Sequence, residues 1–346
     1  MDEELVGMVL CAGLGTRLRP LTDLLPKPAV PLGGLPLVRW SLALLRGAGV
    51  RRVVVNVHHR AAEMERAARG AAAALGMELA VSAEPVIAGT GGALRQARPL
   101  LRGAGAVLLL NGDVLFDADL PAAIEAHRRG GALATMLLAP MPPGAAYAPV
   151  EADAGLAVRR IAGRPGPGGP GLVPWHFTGY HVISPRLLDE LPDEPFDCDV
   201  NRHVYPPLLD GRVRGHVDRG AWSDLGSPAG YLRANLEVLA GAPRRPRPGA
   251  DPRAGLSPRP EPGVWAGEGV VVEPGAVLRG PLLLGAGSRV EAGAAVGPAA
   301  VVGAGCRVGA GAEVRQAVAW EGTALAPGER LVGAVAAGAL RVPAGG

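Results

Sequence analysis

Lysine is almost missing from this 346-residue chain: of its 35 basic residues only Lys27 is a lysine, and the rest are arginine. Aromatic residues make up 3%, too few for the stacking platforms on which single-stranded nucleic acids bind. Only three cysteines occur, Cys11, Cys198 and Cys306, far apart and in neither a metal-ligand nor a disulfide pattern, which points to a reducing compartment. No apolar run is long enough to span a bilayer, and the opening "MDEELVGMVL" is acidic, without the basic start of a secretory signal. A cytoplasmic protein with no membrane partner is therefore expected. The net charge of +3 is dispersed rather than gathered on one face, which excludes a nucleic-acid groove and favours a small anionic substrate.

What is abundant is Ala, Val and Leu, so the cores must be aliphatic, and the length predicts two domains. From Val6 to Cys11 a short apolar strand enters a glycine-rich loop. Helical "LVRWSLALLRGAG", strand "VRRVVVNV", helical "RAAEMERAARGAAAAL", strand "MELAVSA", helical "GGALRQARPLL" and strand "AVLLLNGD" then alternate. That alternation predicts an α/β domain over residues 1–240, with a mostly parallel sheet covered on both faces and its ligand at the carboxyl ends of the strands. Gly13 to Arg17 and Asn111 to Asp113 both follow strands and should share one rim.

Residues 241–262, "GAPRRPRPGADPRAGLSPRPEP", are too rich in Pro, Arg and Gly to form a core and read as a linker or wrapping segment. Over 263–340 the period becomes six. The fourth position of successive units is Ala266, Val272, Leu278, Leu284, Val290, Val296, Val302, Val308 and Val314. An aliphatic residue recurring every six, with Gly, Pro or Ala opening each unit, is the pattern of a parallel β-helix with three short faces per coil, about four coils over residues 263–334.

The stretch "LCAGLGTRLRPLTDLLPKPAVPLGGLPL" carries the chemistry. It is not a dinucleotide fingerprint, because Leu18 stands where the third glycine belongs, and it lacks the Gly-Lys-Ser/Thr of a P-loop. What remains is a loop whose amides at Gly13 and Gly15, beside Thr16 and Arg17, can converge on phosphate oxygens. Arg17 can add a forked contact, and Lys27 a compact mobile charge suited to a crowded triphosphate.

Together these residues resemble the sugar-1-phosphate nucleotidyltransferase family, whose pattern is an apolar strand, then G-x-G-T-R-L-x-P-L-T, then P-K-P. Cys11 stands where the family more often has Ala. A linker and β-helix after the catalytic half is also an arrangement common in the mannose-1-phosphate guanylyltransferase-like branch, which this chain resembles. The resemblance implies a Rossmann-like catalytic domain followed by a left-handed hexapeptide β-helix. It also implies that Leu10, Ala12, Gly13, Gly15 and Thr16 bind the nucleoside triphosphate, with Arg17 and Lys27 on its phosphates. Asp113, at a strand end in "LLLNGDVLF" with Asn111 and Gly112, would be the catalytic metal ligand, and Asp224 in "GAWSDLGSP" the second carboxylate on Mg2+. A turn cap is the structural alternative for either aspartate. "SAEPVIAGTGGAL" resembles the nucleobase segment, in which Glu84, Gly89 and Thr90 would lie near base and ribose, with Gly91 and Gly92 allowing close backbone approach. Gly179 in "WHFTGYHVISP" and Asp199 and Asn201 in "DVNRHVYPPLLDG", a segment resembling a helix, would line the sugar pocket. Where the family often has F-x-E-K-P, this chain has Gly163 and Arg164, so Arg164 would hold the sugar phosphate and the glutamate contact is lost.

The implied reaction joins a sugar 1-phosphate to a nucleoside triphosphate, giving a nucleoside-diphosphate sugar and pyrophosphate, with mannose 1-phosphate and GTP ahead of N-acetylmuramate 1-phosphate with UTP and of glucose 1-phosphate with UTP or dTTP. A regulatory protein that binds nucleotide sugars without making them remains a second reading. An acyltransferase site within the β-helix is disfavoured, because all seven histidines precede the repeats. The helix is expected to prop the catalytic domain or to pair subunits of a homo-oligomer.

Overall fold

A strand buried on both faces and paired on both edges organises the first half of the chain. In a computed structural model, which describes residues 4–142, 144, 147–165, 171–242 and 247–344, the chain divides into two compact units. The first comprises Met1–Leu14 and Ser41–Trp222, the second Gly15–Trp40 and Ser223–Gly346.

The main elements are β1 (Leu5–Leu10), α1 (Leu37–Gly47), β2 (Arg52–Val57), α2 (Ala61–Leu75), β3 (Glu78–Ala83), α3 (Gly89–Leu101), β4 (Ala106–Asn111), α4 (Leu120–Gly130), β5 (Ala134–Ala139), β6 (Val173–Ile183), β7 (Val213–Val217) and α5 (Pro228–Leu239). The strands run in the order β7-β5-β6-β4-β1-β2-β3, with β6 antiparallel to both its neighbours and the other pairs parallel. Val6, Met8 and Val9 are fully or almost fully buried, as expected of a strand covered on both faces. Leu10 lies beside Asn56 on β2 and beside Asn111 on β4, so these three strands end level and share one rim. The antiparallel β6 brings Gly179 to the same rim, one position beyond the pairing of Tyr180 with Leu110.

The segment 199–211 differs from the expected helix. It forms one π-helical turn, Val200–Val204, and one 3-10 turn, Pro206–Leu208. Pro206 and Pro207 offer no N–H and cannot continue a helical ladder.

In the second unit, residues 264–333 wind into four coils. Val264 lies beside Leu282, Leu282 beside Ala300, and Ala300 beside Ala317, all in parallel register, and two further ladders close the triangular section. The step from Ala300 to Ala317 is one residue shorter than the two before it, and the six-residue period slips there. Of the nine aliphatic positions marked out by the repeat, all but Val272 are buried. Val272 belongs to the first coil and has a neighbouring coil on one side only. Corner glycines such as Gly269 (φ 70°) and Gly287 (φ 66°) adopt the left-handed conformation that a side chain would oppose. Residues 247–262 wrap rather than dangle: Arg247 is buried and donates to the Trp40 carbonyl, and Ser257–Pro258 pairs antiparallel with the first coil. Among the described residues no helix is long and apolar enough to cross a membrane.

Burial gives the fold an acid sensitivity. Burial, joined by the nearby Arg186 and Arg128, lowers the pKa of His127 from 6.5 to about 4, and burial alone lowers that of His181 to about 3. Between 6.5 and about 4 the unfolded chain therefore binds protons that the folded chain refuses, so stability must fall as the pH is lowered through that window. Thermal melts at stepped pH are expected to show Tm dropping from pH 6.5 toward 4; a flat profile would contradict the buried neutral imidazoles. In the β-helix, Leu284→Ala removes a fully buried side chain and should cost about 2–5 kcal/mol, read by denaturant unfolding.

Candidate active site

Where β1 ends, its next amide has no strand to pair with. Cys11 N–H donates instead to Asn56 Oδ1 at 2.7 Å, and Asn56 Nδ2 donates to Glu84 Oε1 at 2.7 Å. Both Asn56 and Glu84 are buried. The other Glu84 oxygen accepts from Ala88 N–H at 3.2 Å, and the Glu84 carbonyl lies 2.7 Å from His58 Nδ1, which donates to it. One carboxylate thus fixes the start of the glycine loop and the turn into α3. Each Glu84 oxygen accepts one hydrogen bond from the protein, so the carboxylate holds the loop. Asn56 was not singled out from the sequence, although an amide amid the apolar run "VVVNV" was the available signal.

Gly112 approaches β1 closely. Its N–H donates to the Leu10 carbonyl at 3.0 Å, and a Cβ there would lie 2.8 Å from that oxygen and 2.8 Å from Cys11 Sγ. Asp113 follows immediately, half-buried, while Ala12 is buried and Gly13 exposed with open space at its Cβ direction. Burial and the neighbouring Asp113 charge push the Cys11 thiol well above its ordinary range. Gly179 (φ 91°) is pressed against Asn111, whose Nδ2 would lie 2.9 Å from an added Cβ.

The glycines opening α3 answer to the chain itself. Gly91 and Gly92 both donate to the Cys198 carbonyl, at 2.7 and 3.1 Å, and a Cβ on Gly89 would meet that same oxygen at 2.6 Å. Thr90 Oγ1 accepts from Val200 N–H at 2.8 Å and donates to Asp199 Oδ2 at 3.4 Å, while Asp199 Oδ1 caps the following turn through Arg202 N–H. The close approach inferred from these glycines is therefore made by the segment Phe196–Asp199. Asn201 is half-buried beside it, with no hydrogen-bond partner for its carbonyl oxygen.

Gly163 (φ 72°) and Ala162 (φ 51°) form the two-residue turn of a hairpin that pairs Ile161 with Arg164. Positive φ at both positions is the I′ geometry, in which glycine is favoured at the second place, and this accounts for glycine where a glutamate is usual. The Arg164 side chain lies outside the described residues. Nearby in the same unit, Tyr147, His176 and Trp222 form an aromatic cluster with ring centroids 4.3–5.5 Å apart, anchored by Trp222 Nε1 donating to the Thr178 carbonyl at 3.1 Å.

The second unit holds Gly15, Thr16, Arg17, Lys27 and Asp224. Gly15 (φ 61°) would bring a Cβ within 3.0 Å of Thr22 Cγ2 and 3.1 Å of Lys27 Cβ, so its lack of a side chain lets the loop fold back on the lysine. Thr22 Oγ1 closes that turn on the Gly15 carbonyl at 3.0 Å. Lys27 is 4% exposed, whereas the Arg17 side chain is 70% exposed and reaches Asp224 Oδ2 at 3.4 Å. Gly226 lies under this pair: a Cβ there would be 2.6 Å from an Arg17 guanidinium nitrogen, and its N–H donates to Asp224 Oδ1 at 2.7 Å. The cap of α5 is Ser227, whose Oγ accepts from Gly230 N–H at 3.1 Å, so the helix-capping role open to Asp224 is filled by another residue.

Asp113 and Asp224 are hard oxygen donors of the kind Mg2+ takes. Among the described residues no three His, Cys, Asp or Glu side chains cluster into a closed cage. Each carboxylate by its chemistry fits a hard cation that completes its shell with water and substrate phosphates.

Residues 6–241 match the family model described as nucleotidyl transferase. A mannose-1-phosphate guanylyltransferase of Mycobacterium tuberculosis is 31% identical over 283 residues, covering 81% of this chain and 75% of that protein. A UTP–glucose-1-phosphate uridylyltransferase of Synechocystis is 29% identical over 343 residues, covering 94% and 85%. An N-acetylmuramate alpha-1-phosphate uridylyltransferase of Neisseria meningitidis is 33% identical over 240 residues, covering 68% of this chain and 98% of that protein.

Two outcomes check this geometry. Gly112→Ala should lower stability by about 1–3 kcal/mol, because the nearest atom is a backbone oxygen that cannot yield, and chemical denaturation measures it. Cys11, Cys198 and Cys306 are all buried, so a thiol reagent should modify none of them in the folded protein at neutral pH and all three after unfolding.

Proposed function

The chain belongs to the nucleotidyl transferase family and is a sugar-1-phosphate nucleotidyltransferase; from that premise we propose that it makes GDP-mannose from GTP and mannose 1-phosphate. The observation that carries the proposal is the likeness to the Mycobacterium tuberculosis guanylyltransferase, 31% identical against 29% for the Synechocystis relative, over a match that extends past the catalytic half. The N-acetylmuramate relative, by contrast, is used up almost completely within 240 residues. The Synechocystis relative shares the longer architecture and makes UTP with glucose 1-phosphate the second reading. The segment Val53–Met64 together with Gly163 and Arg164 resembles enzymes that use mannose 1-phosphate or N-acetylmuramate 1-phosphate, and a linker and β-helix after the catalytic half, common in the mannose branch, rank that branch first.

In this reaction a phosphate oxygen of the sugar 1-phosphate attacks the α phosphorus of the triphosphate. A new P–O bond forms as the bond to the β-phosphate oxygen breaks, and pyrophosphate leaves with that electron pair. The nucleophile is already an anion, so no general base is needed and catalysis rests on alignment and charge. The exposed Arg17 would meet the departing β and γ phosphates, exchanging its exposed pairing with Asp224 for charge-assisted bonds to phosphate. Lys27, almost fully buried, would add a point charge at a fixed place in the loop. Asn56 and Glu84 would hold the glycine loop and the nucleobase turn in mutual register. Asp113 and Asp224 would hold Mg2+, which when bound supplies charge neutralisation to the phosphates.

Pyrophosphate release, measured across nucleoside triphosphates and sugar 1-phosphates with Mg2+ present, is the test. Turnover should be greatest for GTP with mannose 1-phosphate, and a preference for UTP with glucose 1-phosphate would replace this reading by the second. Asp113→Ala should lower kcat by at least about 100-fold while the fold survives, as loss of a group acting on transition-state charge does. Unchanged turnover in that variant would remove Asp113 from the chemistry.

A further inference from the structure

The triphosphate loop and the β-helix fall within one compact unit. Between Leu25 and Pro36 the loop stands off the β-helix across a cavity of about 370 Å³, lined by Leu25, Pro31 and Leu35 on one side and Leu283, Val301 and Trp320 on the other. Across that gap the loop does not pack directly on the β-helix. What spans the gap is a chain of hydrogen bonds. Trp320, in the fourth coil, donates Nε1–H to Tyr231 Oη at 3.0 Å, and the Tyr231 hydroxyl donates in turn to the Pro31 carbonyl. Both aromatic residues are buried, Tyr231 completely, and their rings meet edge-on with centroids 6.4 Å apart.

Each end of this relay is rigid. The Trp320 amide donates at 2.8 Å to the carbonyl of Ala336, in the strand that follows the fourth coil, and the Trp320 carbonyl accepts from Cys306 Sγ at 3.0 Å. Tyr231 lies in the first turn of α5, its amide bonded to the Ser227 carbonyl at 2.8 Å, a few residues after Asp224. Pro31 follows the turn Lys27–Ala29 after the one residue Val30, and one helical turn along α5 the fully buried Asn235 accepts from Gly33 N–H at 2.9 Å. The hydroxyl of Tyr231 thus sits between the lysine-bearing loop and the helix that begins beside Asp224, and its orientation is set by an indole of the β-helix. A hydroxyl that both accepts and donates is polarised along the chain, and a buried partner left without its bond costs stability.

We infer that Trp320 is a positioning residue for nucleotidyl transfer: through Tyr231 and the Pro31 carbonyl, the fourth coil of the β-helix sets the place of Lys27 relative to Asp224. The inference rests on the reading of Lys27 as a triphosphate contact, so it needs a readout that does not depend on turnover. Trp320→Phe keeps an aromatic ring and removes the donor, while Tyr231→Phe removes both bonds. Loss of one buried hydrogen bond should raise KM for the triphosphate about tenfold in Trp320→Phe and leave KM for the sugar 1-phosphate near its original value. Amide exchange across Lys27–Leu32 should quicken while that of the inner β-helix coils does not change. The double variant should be no worse than Tyr231→Phe alone, because both substitutions cut one chain. Unaltered exchange across Lys27–Leu32 in Trp320→Phe, or an equal rise in both KM values, would overturn the inference. If the unsubstituted protein turned over no sugar 1-phosphate, the proposed function would fall, and the exchange measurement would still decide whether Trp320 holds the loop.

Discussion

The parallel pairing of β1 with a strand on either side is the constraint from which the rim is built. A strand buried on both faces and bonded on both edges cannot slip without exposing its apolar residues, so Leu10, Asn56 and Asn111 must finish level. Backbone groups just past that level have lost their ladder yet remain buried, and they must be satisfied by side chains. Asn56 does this for Cys11, and Gly112 closes on the Leu10 carbonyl where a side chain would collide. The carboxylate of Asp113 and the open glycine loop then follow as the first places where the chain can present charge and amides.

Charge is distributed by a different rule in the second unit. Arg17 stands in water and pairs with the half-buried Asp224, a contact worth little by itself. Lys27 is enclosed, packed so closely against Gly15 that the glycine has no room for a methyl group. In a chain that otherwise uses arginine, a compact ammonium on a flexible stem fits such a space where a planar guanidinium would need a wider one.

The β-helix shows how far periodicity can be trusted. Its inward ladder was legible from Ala266 to Val314 because each six-residue unit forms one face of a coil and adjacent coils repeat the same local requirement. The loss of one residue between the stacked positions Ala300 and Ala317 leaves the ladder intact, since the turn at Gln316 (φ 47°) absorbs the change. The Pro-Arg segment was legible as a linker or wrapping segment without a core of its own, but not as to what it would wrap. Its wrapping depends on Arg247 and Ser257 finding partners on other elements, which composition does not encode. Likewise the helix expected after Asp199 was overruled by Pro206 and Pro207, local signals outweighed in the reading by a resemblance.

The order of strands and helices, the inward residues of the β-helix, and the charged loop with its lysine were determined by the sequence alone, because each rests on residues within a few positions of one another. Tertiary structure decided the tasks of Glu84, of the glycines opening α3, and of Trp320. Glu84 meets Asn56, Gly91 meets the Cys198 carbonyl, and Trp320 meets Tyr231, pairs separated by tens of residues or more along the chain. A buried polar group must find a partner wherever the fold brings one, and no local pattern records which partner that will be.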